Sequence, residues 1–111
     1  MSQALMAVRG RETAAETTLT GETDTFQDCL DALQDEDCRA IMLAADEPRS
    51  TQELAQRAGV PQSTTYRKVD MLREAELVEE RTEIRADGKH TSTYRTDFEA
   101  VRIVLDGFER F

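Results

Sequence analysis

Apolar residues recur at helical spacing in four stretches of the chain, separated by short polar segments. The first stretch consists of Phe26, Cys29, Leu30 and Leu33. These positions are i, i+3, i+4 and i+7, which places the four side chains on one side of a helix. Asp24 with Gln27 three residues later has the pattern of a capping box, so we expect Asp24 to cap this helix.

The second and third stretches predict two further helices. Cys38, Ile41, Met42 and Ala45 repeat the spacing and predict a helix over residues 35–46 that supports the next two from behind. Ser50 with Glu53 is a second capping-box pattern. The apolar side of that short helix is formed by Leu54, Ala55 and Ala58. Gly59 follows where a left-handed residue would end the helix.

The fourth stretch predicts a helix over about residues 61–75. Pro61 presets φ for the first turn, and Thr65, Val69 and Leu72 lie at i, i+4 and i+7 on the inward side. The other side carries Gln62, Ser63, Thr64, Tyr66, Arg67 and Lys68. A capped helix, a glycine turn and a polar second helix form a helix-turn-helix, whose second helix fits the major groove of DNA.

A hairpin and an ambiguous segment follow. Residues 78–85 and 90–95 predict two strands joined by Asp87-Gly88, a strong hairpin signal, with a tip at 84–91. Residues 97–111 fit either a helix or a third strand, and the β-branched residues favour the strand. Residues 1–23 lack apolar periodicity and predict a disordered tail, which leaves 24–111 as one domain.

Residues 50–95 resemble the winged helix-turn-helix of the ArsR-type transcription regulators. The segments DEDCRAI (35–41) and STTYRKVDMLREAELVEERTEI (63–84) are most similar to the small regulators of halophilic archaea. The resemblance implies a mainly α fold with a small β-hairpin, binding to double-stranded DNA, and a homodimer. The family usually has Gly where this chain has Glu76. A φ above zero there would cost about 1 kcal/mol relative to Gly, unless the helix continues one residue further.

The charge distribution is unusual for a DNA-binding protein, because DNA-binding domains are usually basic. The 111 residues carry a net charge of −9, with −7 in residues 1–49 and −4 in 70–80. Only residues 50–69 and 81–95 are positive, each at +2. Acid excess with just two lysines is typical of a protein kept soluble in molar salt, although an ordinary acidic bacterial protein is an alternative.

The positive segments hold the candidate DNA contacts. Arg67 and Lys68 are suited to guanine or phosphate, and Gln62 to adenine. Ser63, Thr64 and Tyr66 complete the set on the second helix, the latter two suited to a thymine methyl group or a phosphate. Arg85 and Lys89 flank the hairpin tip, where a basic side chain can enter the minor groove. The alternative is a solvated polar helix face and a solvated hairpin tip.

Other chemistry finds little support in the sequence. Cys29, Cys38 and His90 lack the Cys-x-Cys pair and the further ligands of a metal site, so we expect no metal and no cofactor. One histidine without a nucleophile–base pattern excludes a recognisable enzyme. The two cysteines lie in apolar stripes, which indicates reduced thiols. No signal segment and no long apolar run occur, so we expect a cytoplasmic protein without a membrane span.

Two functions are therefore open. The first is a sequence-specific DNA-binding transcription regulator that acts as a homodimer on a palindromic site. The second is a winged helix that serves as a protein-interaction module, with its acidic faces docking a basic partner. A single surface containing Arg67, Lys68, Arg85 and Lys89 would favour DNA.

Overall fold

The computed structural model describes residues 16–105. Within this range the chain forms one strand, four helices and three further strands. The helices are α1 (Phe26–Leu33), α2 (Glu36–Ala44), α3 (Thr51–Ala58) and α4 (Gln62–Glu74). The strands are β1 (Glu16–Leu19), β2 (Glu79–Ile84), β3 (His90–Arg95) and β4 (Ala100–Ile103). The chain divides into two compact units, one of them Thr23–Asp97 and the other, within the described range, residues 16–22 with 98–105.

The larger unit is a winged helix-turn-helix built from α1–α4 and the β2–β3 hairpin, which confirms the predicted fold class. Its core gathers one or two apolar residues from each helix and from the segment after α4. The fully buried members are Cys29, Ala32, Cys38, Ile41, Ala45, Leu54, Leu72, Ala75 and Leu77. Removal of this apolar surface from water is the main force that holds the four short helices together.

Side-chain caps determine where two of the helices begin. The Ser50 Oγ accepts from the Glu53 amide at 3.2 Å, and the Glu53 carboxylate accepts from the Ser50 amide at 2.8 Å, so the predicted capping box is confirmed. Gly59 ends α3 at φ 70°, also as predicted. Asp35 caps α2 by accepting from the Cys38 amide at 2.9 Å.

The predicted Asp24 cap of α1 is wrong. The cap position is Thr25, and it makes no side-chain cap hydrogen bond. The amide of Phe26 donates instead to the Thr23 carbonyl at 3.0 Å, so a backbone turn replaces the carboxylate and the helix begins later.

The end of α4 is a Schellman motif that places Glu76 in the left-handed region, at φ 60°. The Glu76 amide donates to the Arg73 carbonyl at 3.0 Å, and the Leu77 amide donates to the Leu72 carbonyl at 2.9 Å. Leu77 and Leu72 are both buried, as is common for the apolar residues of this motif. The helix ends before Glu76 instead of continuing through it. Glu76 therefore adopts the left-handed conformation and has its steric cost.

The hairpin matches the predicted wing. Its antiparallel ladder runs from Glu79↔Arg95 to Ile84↔His90, and the turn contains Gly88 at φ 84°. Arg49, just before α3, exchanges two backbone hydrogen bonds with Tyr94 of β3, at 3.1 and 2.8 Å. This bridge fixes the base of the wing to the start of the helix-turn-helix.

The smaller unit includes part of the predicted tail. Strand β1 lies within the predicted tail 1–23, and it pairs in parallel with β4 from Glu16↔Ala100 to Leu19↔Ile103. The larger unit ends at Asp97, whereas the predicted domain extends to residue 111. The strand favoured for the C-terminal segment is present, as β4. Residues 1–15 of the predicted tail and 106–111 lie outside the described residues.

Candidate nucleic-acid interface

The two sides of α4 differ sharply in exposure. Thr65, Val69 and Leu72 are buried, as their spacing predicts. The Thr65 hydroxyl donates to the Pro61 carbonyl at 3.0 Å, so its polar atom is satisfied inside the core. Burial of this stripe orients α4 so that the opposite side faces solvent.

The exposed side divides along its length into a front, which we define as positions 62–67, and a rear from Asp70 to Glu74. The exposed residues of the front are Gln62, Ser63, Tyr66 and Arg67, and Thr64 is half-buried. No carboxylate lies in the front, where the helix dipole and the free amides of the first turn favour an anion. The front is therefore a polar, locally positive surface.

Lys68, also a predicted DNA contact, is half-buried and paired with a carboxylate. Its Nζ lies 2.6 Å from the Oδ2 of Asp35, and the two side chains are only 16% and 25% exposed. The shared hydrogen bond raises the pKa of Lys68 and lowers the pKa of Asp35. Because Asp35 also caps α2, this ion pair fastens α4 to α2 and engages the ammonium group of Lys68.

The rear of α4 is attached to the base of the wing. An Arg73 guanidinium nitrogen lies 3.3 Å from the Asp70 carboxylate, and Arg73 Nε lies 4.0 Å from the Glu80 carboxylate on β2. The Tyr94 hydroxyl donates to Glu80 at 3.4 Å, and burial together with this carboxylate raises the pKa of Tyr94. These contacts connect the orientation of the wing to that of α4.

The wing tip is exposed and basic. Arg85 and Lys89 flank the turn, and the Arg85 amide donates to the Lys89 carbonyl at 2.7 Å. Ion pairs within residues 16–105 involve Arg49, Lys68, Arg73 and Arg81. None in that range involves Arg67, Arg85 or Lys89, so three predicted contact residues have cationic groups available to a ligand.

The two cysteines are part of the buried core. Both are free and buried, and burial raises the pKa of Cys38 to about 11 and that of Cys29 above its ordinary value. Cys29 Sγ donates to the Ala75 carbonyl at the end of α4, at 3.2 Å. Residues 16–105 contain no cluster of three or more His, Cys, Asp or Glu side chains placed to hold a metal ion.

Two links that position the interface were absent from the sequence prediction. The Lys68–Asp35 pair joins residues 33 positions apart, and the Arg73–Glu80 contact joins a helix to a strand. Local spacing carries no signal for either, because each depends on how the elements pack.

The geometry of α3, the Gly59 turn and α4 agrees with a comparison to known protein families. Residues 32–81 match the family described as "Helix-turn-helix domain". The chain contains a helix-turn-helix domain. The matched segment begins within α1 and ends in β2, so it includes the front of α4 and the base of the wing.

The fold is shared with solved structures. One of them is described as a possible transcriptional regulator from Methanosarcina mazei Go1, with 20% sequence identity and a TM-score of 0.50. The similarity covers 63% of this chain and 62% of that one, so the helix-turn-helix chain spans less than two thirds of its length. No curated protein matches the chain. None of the helices in residues 16–105 has the length and apolar character needed to cross a membrane.

Proposed function

We propose that the protein is a sequence-specific DNA-binding transcription regulator with an ArsR-like winged helix-turn-helix. The observation that carries this proposal is the front of α4. It exposes Gln62, Ser63, Tyr66 and Arg67 without a carboxylate, on a chain whose net charge is −9. In this proposal α4 lies in the major groove and the tip of the wing, residues 84–91, lies near the minor groove.

The exposed residues divide into base contacts and phosphate contacts. Arg67 is suited to a bidentate contact with guanine, and Gln62 to one with adenine. Thr64 and Tyr66 are suited to a thymine methyl group or a phosphate, and Ser63 to a phosphate. Lys68 acts indirectly in this proposal, because its ammonium group is bound to Asp35 and holds α4 in place.

The proposal includes a homodimer. Leu30 and Leu33 on α1 remain half-buried beside the fully buried Cys29 and Ala32, so α1 offers an apolar stripe for a second copy. Two copies related by a two-fold axis would read two half-sites of a palindrome. We further propose that the acid excess reflects a halophilic cytoplasm, where molar salt screens the carboxylates.

Selection of bound duplexes from a random DNA pool tests the function. The selection is carried out with the full chain at about 0.1 M and about 2 M KCl, because screening lengths differ severalfold between them. We expect enrichment of a two-fold symmetric sequence with half-sites about 10 base pairs apart. Failure to enrich any sequence at either salt concentration would reject the proposal and favour the protein-interaction module.

A further inference from the structure

The outer edge of β4 has no partner strand within residues 16–105. Strands β1 and β4 pair in parallel and form the whole of their sheet in that range. The Val104 amide donates to the Leu19 carbonyl at 2.9 Å, so the backbone groups of the even-numbered residues here face β1. Those of Val101 and Ile103 therefore point away from β1, toward an edge at which another strand can pair.

The residues of this open edge also form an exposed apolar stripe. Side chains alternate between the two faces of a strand, so Val101 and Ile103 lie on one face and Arg102 on the other. Leu105 continues the alternation just beyond β4. Val101 is half-buried, Ile103 is 45% exposed and Leu105 is 74% exposed. Unpaired backbone groups and apolar side chains thus coincide along the same edge.

The charge of this segment favours contact between two copies of the chain. The net charge of −9 makes two copies repel each other, so contact is least costly where carboxylates are absent. Residues 100–105 contain no acidic residue, and Arg102 gives them a charge of +1. Two strands alone are marginally stable in water, so a sheet of this size gains from further strands.

We propose that β4 pairs in an antiparallel arrangement with β4 of a second copy, with Ile103 on the two-fold axis. Ile103 then lies opposite Ile103 of the second copy, and Val101 of each copy lies opposite Leu105 of the other. The three apolar pairs share one face, and the two small sheets become one sheet of four strands. The inference rests on the homodimer of the proposed function and adds a strand-to-strand contact to it.

The sequence around β4 distinguishes this register from the neighbouring one. An axis at Val101 would also let outward-pointing backbone groups meet, but it would place Ile103 opposite Glu99 and Leu105 opposite Asp97. Apolar side chains would then face carboxylates on the shared face of the sheet. An axis at Ile103 matches apolar residues throughout, so side-chain pairing selects it.

Sedimentation velocity of the full chain over a series of concentrations measures the dimer. Ile103→Pro removes the amide on the axis, which the ladder between β1 and β4 does not use. The variant should keep the circular dichroism of the parent and dimerise at least about tenfold more weakly, because two hydrogen bonds between the copies are lost. Leu43→Gln changes an exposed apolar residue of α2 and should dimerise like the parent.

Single cysteines test the register. Hydrogen-bonded residues directly opposite each other in an antiparallel pair have Cα atoms about 5.5 Å apart, which a disulfide can span. Ile103→Cys should therefore cross-link two chains when oxidised glutathione is added and accepts the two electrons from the thiols. Arg102→Cys is the matched control, because residue 102 would lie opposite Val104 of the second copy and about 7–8 Å from its own counterpart. Cys29 and Cys38 are buried, so the parent should not cross-link.

The results separate this contact from the proposed function. A parent that stays monomeric would overturn the strand contact, since the edge would then have another occupant. An Ile103→Pro dimer as tight as that of the parent, or no preference for cross-linking at residue 103 over residue 102, would also overturn it. Specific DNA binding by a parent without this contact would leave the proposed function standing. A cross-linked Ile103→Cys dimer from a parent that selects no duplex would reject the function alone.

Discussion

Glu76 occupies a backbone conformation that glycine adopts more easily, at φ 60° in the turn that ends α4. Glu76→Gly should therefore raise the free energy of unfolding by about 1 kcal/mol, because it removes the steric cost of a Cβ in the left-handed region. Urea denaturation of the parent and the variant measures the difference.

Glu74→Gly is the matched control, since it removes the same charge from the last residue of α4. Glycine within a helix lowers its stability, so this control should lose up to about 1 kcal/mol. A Glu76→Gly protein no more stable than the parent would show that the left-handed residue is not strained.

Asp35 combines a helix cap with an ion pair, and its lowered pKa makes stability depend on pH. A carboxyl whose pKa is lower in the folded state stabilises the fold above its unfolded pKa. This contribution is lost as pH falls below about 4. Asp35→Asn keeps a good cap but loses the ion pair with Lys68, so it should be less stable than the parent at neutral pH and lose less on acidification.

Urea denaturation between neutral and acidic pH measures this effect. Glu36→Gln, at an exposed position in the first turn of α2, serves as the control and should retain the acid dependence of the parent. If Asp35→Asn followed the same pH profile as the parent, the ion pair with Lys68 would contribute nothing to stability.

At the scale of elements, α1 contributes both to the core and to the proposed dimer. Leu30→Asp places an unpaired carboxylate on its apolar stripe, so the variant should dissociate to monomers or unfold. Light scattering with circular dichroism distinguishes these results. Gln27→Asp adds the same charge to an exposed position of α1 and should leave the dimer intact. A Leu30→Asp dimer as stable as the parent would exclude α1 from both core and interface.

The elements that the sequence predicts well are those fixed by neighbouring residues. Ser50 with Glu53 caps α3, Gly59 ends it, and the stripe through Val69 orients α4. Each signal lies within one or two helical turns, so it can be read without the fold. The predicted Asp24 cap also depends on neighbouring residues, yet it is wrong because a backbone turn takes the place of the side-chain hydrogen bond.

The features that the sequence does not predict depend on distant residues. Strand β1 has only four residues, and its partner β4 lies more than 80 positions later, so neither local periodicity nor a turn connects them. The sequence places Lys68 on the polar side of α4, yet Asp35, the cap of α2, binds its ammonium group. Whether a charged residue is available to a ligand is a property of the packed structure.

At the scale of the whole molecule, the net charge of −9 should make DNA binding depend on salt in an unusual way. Repulsion by the acidic remainder extends over about 30 Å at 0.01 M salt and only about 3 Å at 1 M. Affinity should thus fall little, or rise, between about 0.1 M and about 2 M KCl, with a slope much shallower than about −0.9 per phosphate contact. Binding isotherms across this range measure the slope.

Neutralising exposed acids in the N-terminal half tests whether these carboxylates cause the shallow salt dependence. The variant replaces three exposed carboxylates, Asp28, Asp31 and Glu36, with their amides. It should bind more tightly than the parent in low salt, regain an ordinary negative slope and match the parent near 2 M, where screening is nearly complete. A steep loss of parental affinity with salt would contradict the halophilic interpretation but not DNA binding itself.

The central claim is that the front of α4 reads bases, and the ratio of affinities for the selected duplex and a scrambled duplex tests it most directly. Arg67→Ala should lower this ratio by about 1–3 kcal/mol, the value of a good bidentate base contact, while the thermal melt stays unchanged. Arg57→Ala removes an exposed arginine from α3 and should leave the ratio at the parent value. An Arg67→Ala protein with the parent's ratio and the parent's melt would contradict the account.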